Sequence, residues 1–357
     1  MVRARPPASF DSAGAVAALI ARFVNQHGDG WRTWSYTAGT MVNPRRLVIL
    51  LPGLFLLVAC GTPAQSVRIE PAGSATPVAV ARSKPPIAPA AGPVATPVAP
   101  DAHDRMAAAS DDPSILDAIL NALGDDADHY SIVVRRLEDG RGASLNPDRE
   151  YYAASLFKLA VLYEAERQRS AGLLDFDEMI QISGEDVAED LGTIGSLGLD
   201  DSGMISVRAA VHAMVTRSDN ACAVALLRTL GPATVDQTLA SLGLRQTSVN
   251  TRDLPTTAVD MALLMEAIVR GQGVDPAWRE DMIALLLQQE TRSGIPQLLP
   301  PHVPVGNKTG TWPGATHDVA FVDAPNGRYV IAALSDRGWE WDPIARVSRA
   351  VYEALAR

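Results

Sequence analysis

The pattern of apolar and polar residues divides the chain into two strand-rich ends around a helical middle. Asp112-Pro113 suits a helix start, and Ile115, Ile119, Leu120 and Leu123 then fall on one helix face. Two strand-like runs follow, Tyr130 to Arg136 and Ala143 to Leu145, turning at Asp139-Gly140. From Ala154 to about Leu287 the spacing predicts helices near 155–170, 205–216, 220–230, 232–242 and 256–270, with looser chain between them. Strand patterns return at Val303 to Trp312, His317 to Val322 and Tyr329 to Leu334, the last two joined by the turn Pro325-Asn326-Gly327. A closing helix runs from Pro343 to about Ala356, with Ile344, Val347 and Val351 on its buried side. Two strands and a helix at the start, with three strands and a helix at the end, predict an α+β domain over residues 111–357. Its layers are α/β/α, with one five-stranded antiparallel sheet built from both chain ends. The helical middle forms a second lobe, and the cleft between the lobes is the natural place for a ligand. The chain carries no internal repeat.

Upstream of this domain the composition changes twice. Residues 47–59 are apolar and follow Arg45 and Arg46; the run is short and contains Pro52, which fits the apolar region of a signal peptide better than a spanning helix. It ends in Leu57-Val58-Ala59-Cys60-Gly61, which resembles the bacterial lipobox and implies lipidation of Cys60 as the mature N-terminus. Met41 opens a signal over residues 41–60, which leaves 1–40 as an extension that a later start codon would remove; if translated, it turns the apolar run into an internal anchor. Residues 61–110, rich in proline, alanine, serine and valine, read as a semi-extended linker. The expectation is a protein exported and lipid-anchored to the cell envelope, its membrane contact made through Cys60. From Asp111 onward 36 acidic residues face 21 basic ones, which argues against nucleic acid or a bare anionic surface as partner. The six histidines show no metal-ligand spacing, so no metal is expected. Cys222, the other cysteine, reads as a small core residue. Monomer is the default expectation.

The chain has 31 basic residues, yet only Lys84, Lys158 and Lys308 are lysines. Where arginine serves nearly every cationic need, a retained lysine marks a task that guanidinium cannot do, such as surrendering a proton. Lys158 lies in Ser155-Leu156-Phe157-Lys158 at the start of a predicted helix, which puts the two polar side chains on one face. A neutral lysine there can activate the serine as a nucleophile, and the helix start supplies free amides for a developing oxyanion. Read alone, a serine at a helix start is a cap. Ser218-Asp219-Asn220 lies between two predicted helices. Its serine can relay a proton and its asparagine can hold a substrate amide or the first lysine, although the tripeptide also suits a turn and cap. Lys308-Thr309-Gly310, continuing into Thr311-Trp312, sits on a predicted strand. The lysine and threonine can hold a carboxylate, and the glycine lets substrate lie against the strand. A phosphate loop is the rival for this third motif, but Asn307 stands where that loop needs glycine.

Together and in this order, on helix, loop and strand, the three motifs resemble those of the penicillin-recognising serine hydrolases, specifically the class A β-lactamase-like domain, over residues 111–357. Met204-Ile205-Ser206-Val207-Arg208, and Arg252-Asp253 followed by Thr256-Thr257, are similar to class A segments as well. The resemblance implies catalytic roles for Ser155 as nucleophile, Lys158 as base and Ser218 as proton shuttle. It implies substrate binding by Asn220, Lys308, Thr309, Gly310 and Thr311, an oxyanion hole from the Ser155 and Thr311 amides, and no cofactor. The chain departs from class A in lacking the Ω-loop glutamate that activates the deacylating water. No glutamate occurs between Asn220 and Glu266, and Asp236 and Asp253 are the acids before the Thr-Thr helix. Acylation is therefore expected without fast release of penicillins. Three readings follow: a slow hydrolase of β-lactams, a D-Ala-D-Ala peptidase or esterase inhibited by them, and a non-catalytic lipoprotein whose cleft binds a ligand.

Overall fold

The computed structural model describes residues 102–107, 112–187, 195, 197–199 and 202–356. The expectations for residues 1–40, for the signal at 41–60 and for Cys60 lie outside them. In chain order the first elements are α1 (Ala102–Ala107), α2 (Pro113–Leu123), β1 (Tyr130–Arg136), β2 (Gly142–Leu145), β3 (Tyr151–Tyr152) and α3 (Phe157–Ser170). Next come β4 (Met179–Gln181), α4 (Gly184–Val187), β5 (Met204–Ser206), α5 (Val207–Thr216), α6 (Asn220–Leu230), α7 (Pro232–Ser241) and β6 (Pro255–Thr256). The chain continues with α8 (Ala258–Arg270), α9 (Pro276–Leu287), β7 (Val305–Trp312), β8 (Ala315–Ala324), β9 (Gly327–Ser335) and α10 (Asp342–Leu355).

The main sheet has the order β2-β1-β9-β8-β7, and every neighbouring pair is antiparallel. Both chain ends build it, as the strand pattern predicts. Its strands are apolar on both faces because both faces are covered. Val133, Val319, Phe321, Val330, Ala332 and Leu334 join the core shared with the helical lobe. Their neighbours Ile132, Val134, Ala320, Val322, Ile331 and Ala333 join the core beneath α2 and α10. The period-two alternation thus sorts side chains between two cores.

Several local features differ from the expectation. Ala102–Ala107 fall within the segment read as linker, but they form α1 and bury Ala102, His103 and Met106. Ser144 Oγ donates to Ala107 O at 2.7 Å, Arg135 donates to the carbonyls of Arg105 and Met106, and Arg245 pairs with Asp104 at 2.7 Å. These contacts supply partners that six residues lack by themselves. Helix α9 lies in the helical middle but beyond the last helix predicted there; its apolar residues wrap more than one side, and Met282, Ile283 and Leu286 alone of them are buried. The helix predicted from 155 starts at Phe157, preceded by a 3-10 turn over Ala154–Leu156. Strand β3 pairs with β6, and Ala153 N donates to Leu254 O at 2.9 Å. The approach to Ser155 is thereby fixed against the residues before α8.

Candidate active site

Ser155 sits on the 3-10 turn, half-buried, between Ala154 and fully buried Leu156. Ala154 has φ 46°, the left-handed region, which costs a non-glycine residue on the order of 1–3 kcal/mol. The serine therefore stands on a bent backbone rather than serving as the helix cap, and the turn carries its side chain to the start of α3. Lys158, one helical turn on, is completely buried. Its Nζ donates to Ser218 O and to Asn220 Oδ1, each at 2.6 Å, and lies 3.2 Å from Ser218 Oγ. Ser155 Oγ is not among these three partners.

Ser218 also has left-handed backbone, φ 59°, between α5 and α6. Asp219 caps α6 by accepting from Cys222 N at 2.8 Å, so the middle residue of the tripeptide is structural while its two neighbours face the lysine. Strand β7 brings up Lys308, also fully buried, whose Nζ donates to Ser218 Oγ at 2.9 Å and to Thr309 O at 2.8 Å. One hydroxyl thus links two ammonium groups. Burial, then the charge of Lys308, holds the Lys158 pKa well below its usual range, against weaker pull from Asp219 and Cys222. Burial lowers that of Lys308 to about 7, opposed by Asp318. Such a pair favours one neutral and one charged lysine, with a hydroxyl able to pass a proton between them.

Asn220 is buried, and its Nδ2 has no hydrogen-bond partner. An unspent amide donor beside Lys158 can receive a ligand carbonyl. Thr309 is buried and Thr311 half-exposed near the end of the same strand. Gly310 also has a use within the fold. A Cβ there would lie 3.0 Å from Ala153 O and 3.2 Å from the Leu156 side chain. The missing side chain makes room for the turn that bears Ser155, and β7 packs against it. Residues 114–355 match the Beta-lactamase enzyme family. The chain belongs to that family.

Solved structures of β-lactamase fold agree with the architecture. PBP-A is 24% identical, with 68% of this chain and 96% of that one covered and a TM-score of 0.63. A β-lactamase from Sphaerobacter thermophilus is 22% identical, covering 68% and 97%, with a TM-score of 0.60. A variant of a reconstructed ancestral class A β-lactamase of Gram-negative bacteria is 26% identical, covering 70% and 99%, with a TM-score of 0.59. No curated protein matches this sequence.

Relative to a β-lactamase with an Ω-loop glutamate, one of the two available acids is engaged elsewhere and the other is exposed. Asp236 accepts from Ser248 Oγ at 2.5 Å and from Val249 N at 2.8 Å, bracing the segment before β6. Asp253 is exposed on a turn, and the residue joined to Ala153 is the buried Leu254. Arg292 lies behind β7, donating to Val305 O at 2.8 Å and Asn307 Oδ1 at 3.2 Å. Asn307 in turn donates to Asp318 Oδ1 at 2.9 Å. The motifs alone do not reveal Asn307, His317 and Asp318, although Thr316-His317-Asp318 is a polar interruption at the start of a buried apolar strand.

Proposed function

We propose that this β-lactamase-family chain is a serine hydrolase that forms an acyl-enzyme on Ser155 with β-lactams or related amides and esters, and releases penicillin-derived acyl groups slowly. The observation that supports it most is the Lys158–Ser218–Lys308 chain, in which two buried lysines share one hydroxyl and neither hydrogen-bonds to a carboxylate among the described contacts. Neutral Lys158 takes the Ser155 proton as Oγ bonds to the carbonyl carbon. The carbonyl electron pair moves onto oxygen, where the Ser155 and Thr311 amides receive it. When the intermediate collapses, the C–N bond breaks and the leaving nitrogen takes a proton from Lys158 through Ser218. Charged Lys308, with Thr309, holds the substrate carboxylate, and the free Asn220 Nδ2 receives the amide carbonyl.

Release needs a water and a base on the other side of the ester. Buried Leu254 adjoins the turn that bears Ser155 and brings no carboxylate. The same feature favours a D-Ala-D-Ala peptidase or esterase, for which penicillin is an inhibitor. A mutant of PBP-A, similar in fold at 23% identity, has been captured as an acyl-enzyme with penicillin G. Export and anchoring through a lipid on Cys60 belong to the same proposal and place the reaction at the cell envelope, where such peptides occur.

Intact mass after mixing with excess penicillin, followed from seconds to hours, tests the reading against a Ser155→Ala control. A Ser155-dependent adduct that persists for hours is expected. An adduct absent from the parent overturns acylation, and one that clears while penicillin is consumed overturns slow release.

A further inference from the structure

His317 is fully buried on β8, directly across from Gly310 of β7. Its Nδ1 lies 3.2 Å from Ser335 N, and its Nε2 lies 2.9 Å from Tyr152 O. A backbone N–H only donates and a carbonyl only accepts, so Nδ1 is the acceptor, Nε2 carries the proton, and the ring is neutral. Burial agrees, pushing its pKa down to about 4. The Tyr151 ring meets the imidazole edge-on, with centroids 5.6 Å apart, which fixes its plane. The imidazole is therefore a strut from β9 to β3, and β3 runs directly into the turn bearing Ser155.

Three of the contacts around that turn bear on its gap to β7. Tyr152 O is held by His317, Ala153 N is held by Leu254 O, and Ala153 O rests against Gly310. Of the three, the His317 bond is the one made by a side chain that can be exchanged without rebuilding the backbone. We infer that His317 is a positioning residue: by holding Tyr152 O it sets the spacing between the Ser155 and Thr311 amides that receive the oxyanion. The inference rests on the proposed acylation of Ser155. A histidine that only filled the core would contribute stability and leave the chemical step alone. Oxyanion donors act on the transition state, so a shift in their spacing lowers the acylation rate constant and spares non-covalent binding through Lys308 and Thr309.

The test measures acylation by a fluorescent penicillin over a concentration series in the full chain, separating the non-covalent dissociation constant from the acylation rate constant. His317→Phe keeps a ring against Tyr151 and loses both hydrogen bonds. His317→Gln presents an amide that can donate to Tyr152 O and accept from Ser335 N. The expected result is a roughly 10- to 100-fold lower rate constant for His317→Phe, with the dissociation constant within about twofold of the parent, and recovery to within about threefold in His317→Gln. Val351→Ala, in the core on the other side of the sheet, controls for lost stability and should acylate like the parent. A parent rate constant in His317→Phe, a loss that Val351→Ala reproduces at an equal melting temperature, or a Gln variant as slow as the Phe variant overturns the inference. A parent that is never acylated overturns the Ser155 reading and this one with it.

Discussion

Replacing Lys308 with methionine tests whether the second lysine sets the proton affinity of the first. Both nitrogens contact Ser218 Oγ, at 3.2 Å from Lys158 and 2.9 Å from Lys308, so they are at most about 6 Å apart. At an effective dielectric constant of about 20, unit charges at that distance repel by about 3 kcal/mol, or about two pKa units. Lys308→Met removes that repulsion, fills similar volume in the buried site, and raises the Lys158 pKa. The neutral fraction of Lys158 then falls about tenfold for each unit of pH below the new value. The acid limb of the acylation profile is expected to move up by about two pH units, slowing acylation about 100-fold wherever the limb governs the rate. Loss of the proposed carboxylate anchor should also weaken penicillin binding, so the assay uses a neutral activated ester beside penicillin, each from pH 5 to pH 10. With the neutral ester the limb alone should move; with penicillin the dissociation constant should rise as well. An acid limb that stays in place with both substrates refutes the electrostatic coupling, and unchanged penicillin binding refutes the anchoring role.

Ser218→Ala breaks the link between the lysines while keeping their other contacts; acylation at pH 7 should slow by roughly 100- to 1,000-fold in stopped-flow measurements with penicillin. Glu166 on α3 is fully buried, has one oxygen without a hydrogen bond, and is pushed up to about 7 by burial, against the pull of Arg169. Its folded pKa exceeds the unfolded value of 4.5, so the folded protein holds the extra proton between these values and stability falls as pH rises through that window. Glu166→Gln should lose on the order of 3 kcal/mol less than the parent between pH 4 and pH 8 in urea unfolding; equal losses would show that Glu166 does not carry the slope. Asp318, also pushed up to about 7 by burial, keeps its own slope in both proteins. A chain beginning at residue 112 should melt roughly 5 °C below one beginning at residue 101 in calorimetry, because α1 buries Ala102 and Met106.

The parts legible in the sequence are those in which chemistry or periodicity admits few substitutes. Lys158 and Lys308 stand out because arginine replaces lysine almost everywhere else, and the structure brings both to one hydroxyl. The strands of the sheet are legible because apolar residues on both faces give continuous runs such as Tyr329 to Leu334. What remained hidden depends on contacts distant in sequence. Gly310 reads as space for substrate, and its packing role shows only in the structure, where the atoms nearest a Cβ there belong to Ala153 and Leu156. Helix α1 has too few residues to signal itself, and its carbonyls find donors on Arg135 and Ser144 in β1 and β2. His317 reads as a polar residue at a strand start until Ser335 and Tyr152 appear on its two nitrogens. The motifs thus mark the groups proposed to exchange protons, while the contacts around the Ser155 turn come from the space left by Gly310 and from His317, which no motif contains. A chain that kept Ser155, Lys158, Ser218 and Lys308 but lost the contacts at Gly310 and His317 would keep every motif side chain that exchanges a proton or binds charge. Its oxyanion amides would no longer be held at their present distance, and by the mechanism proposed for Ser155 its acylation would slow with every one of those groups intact.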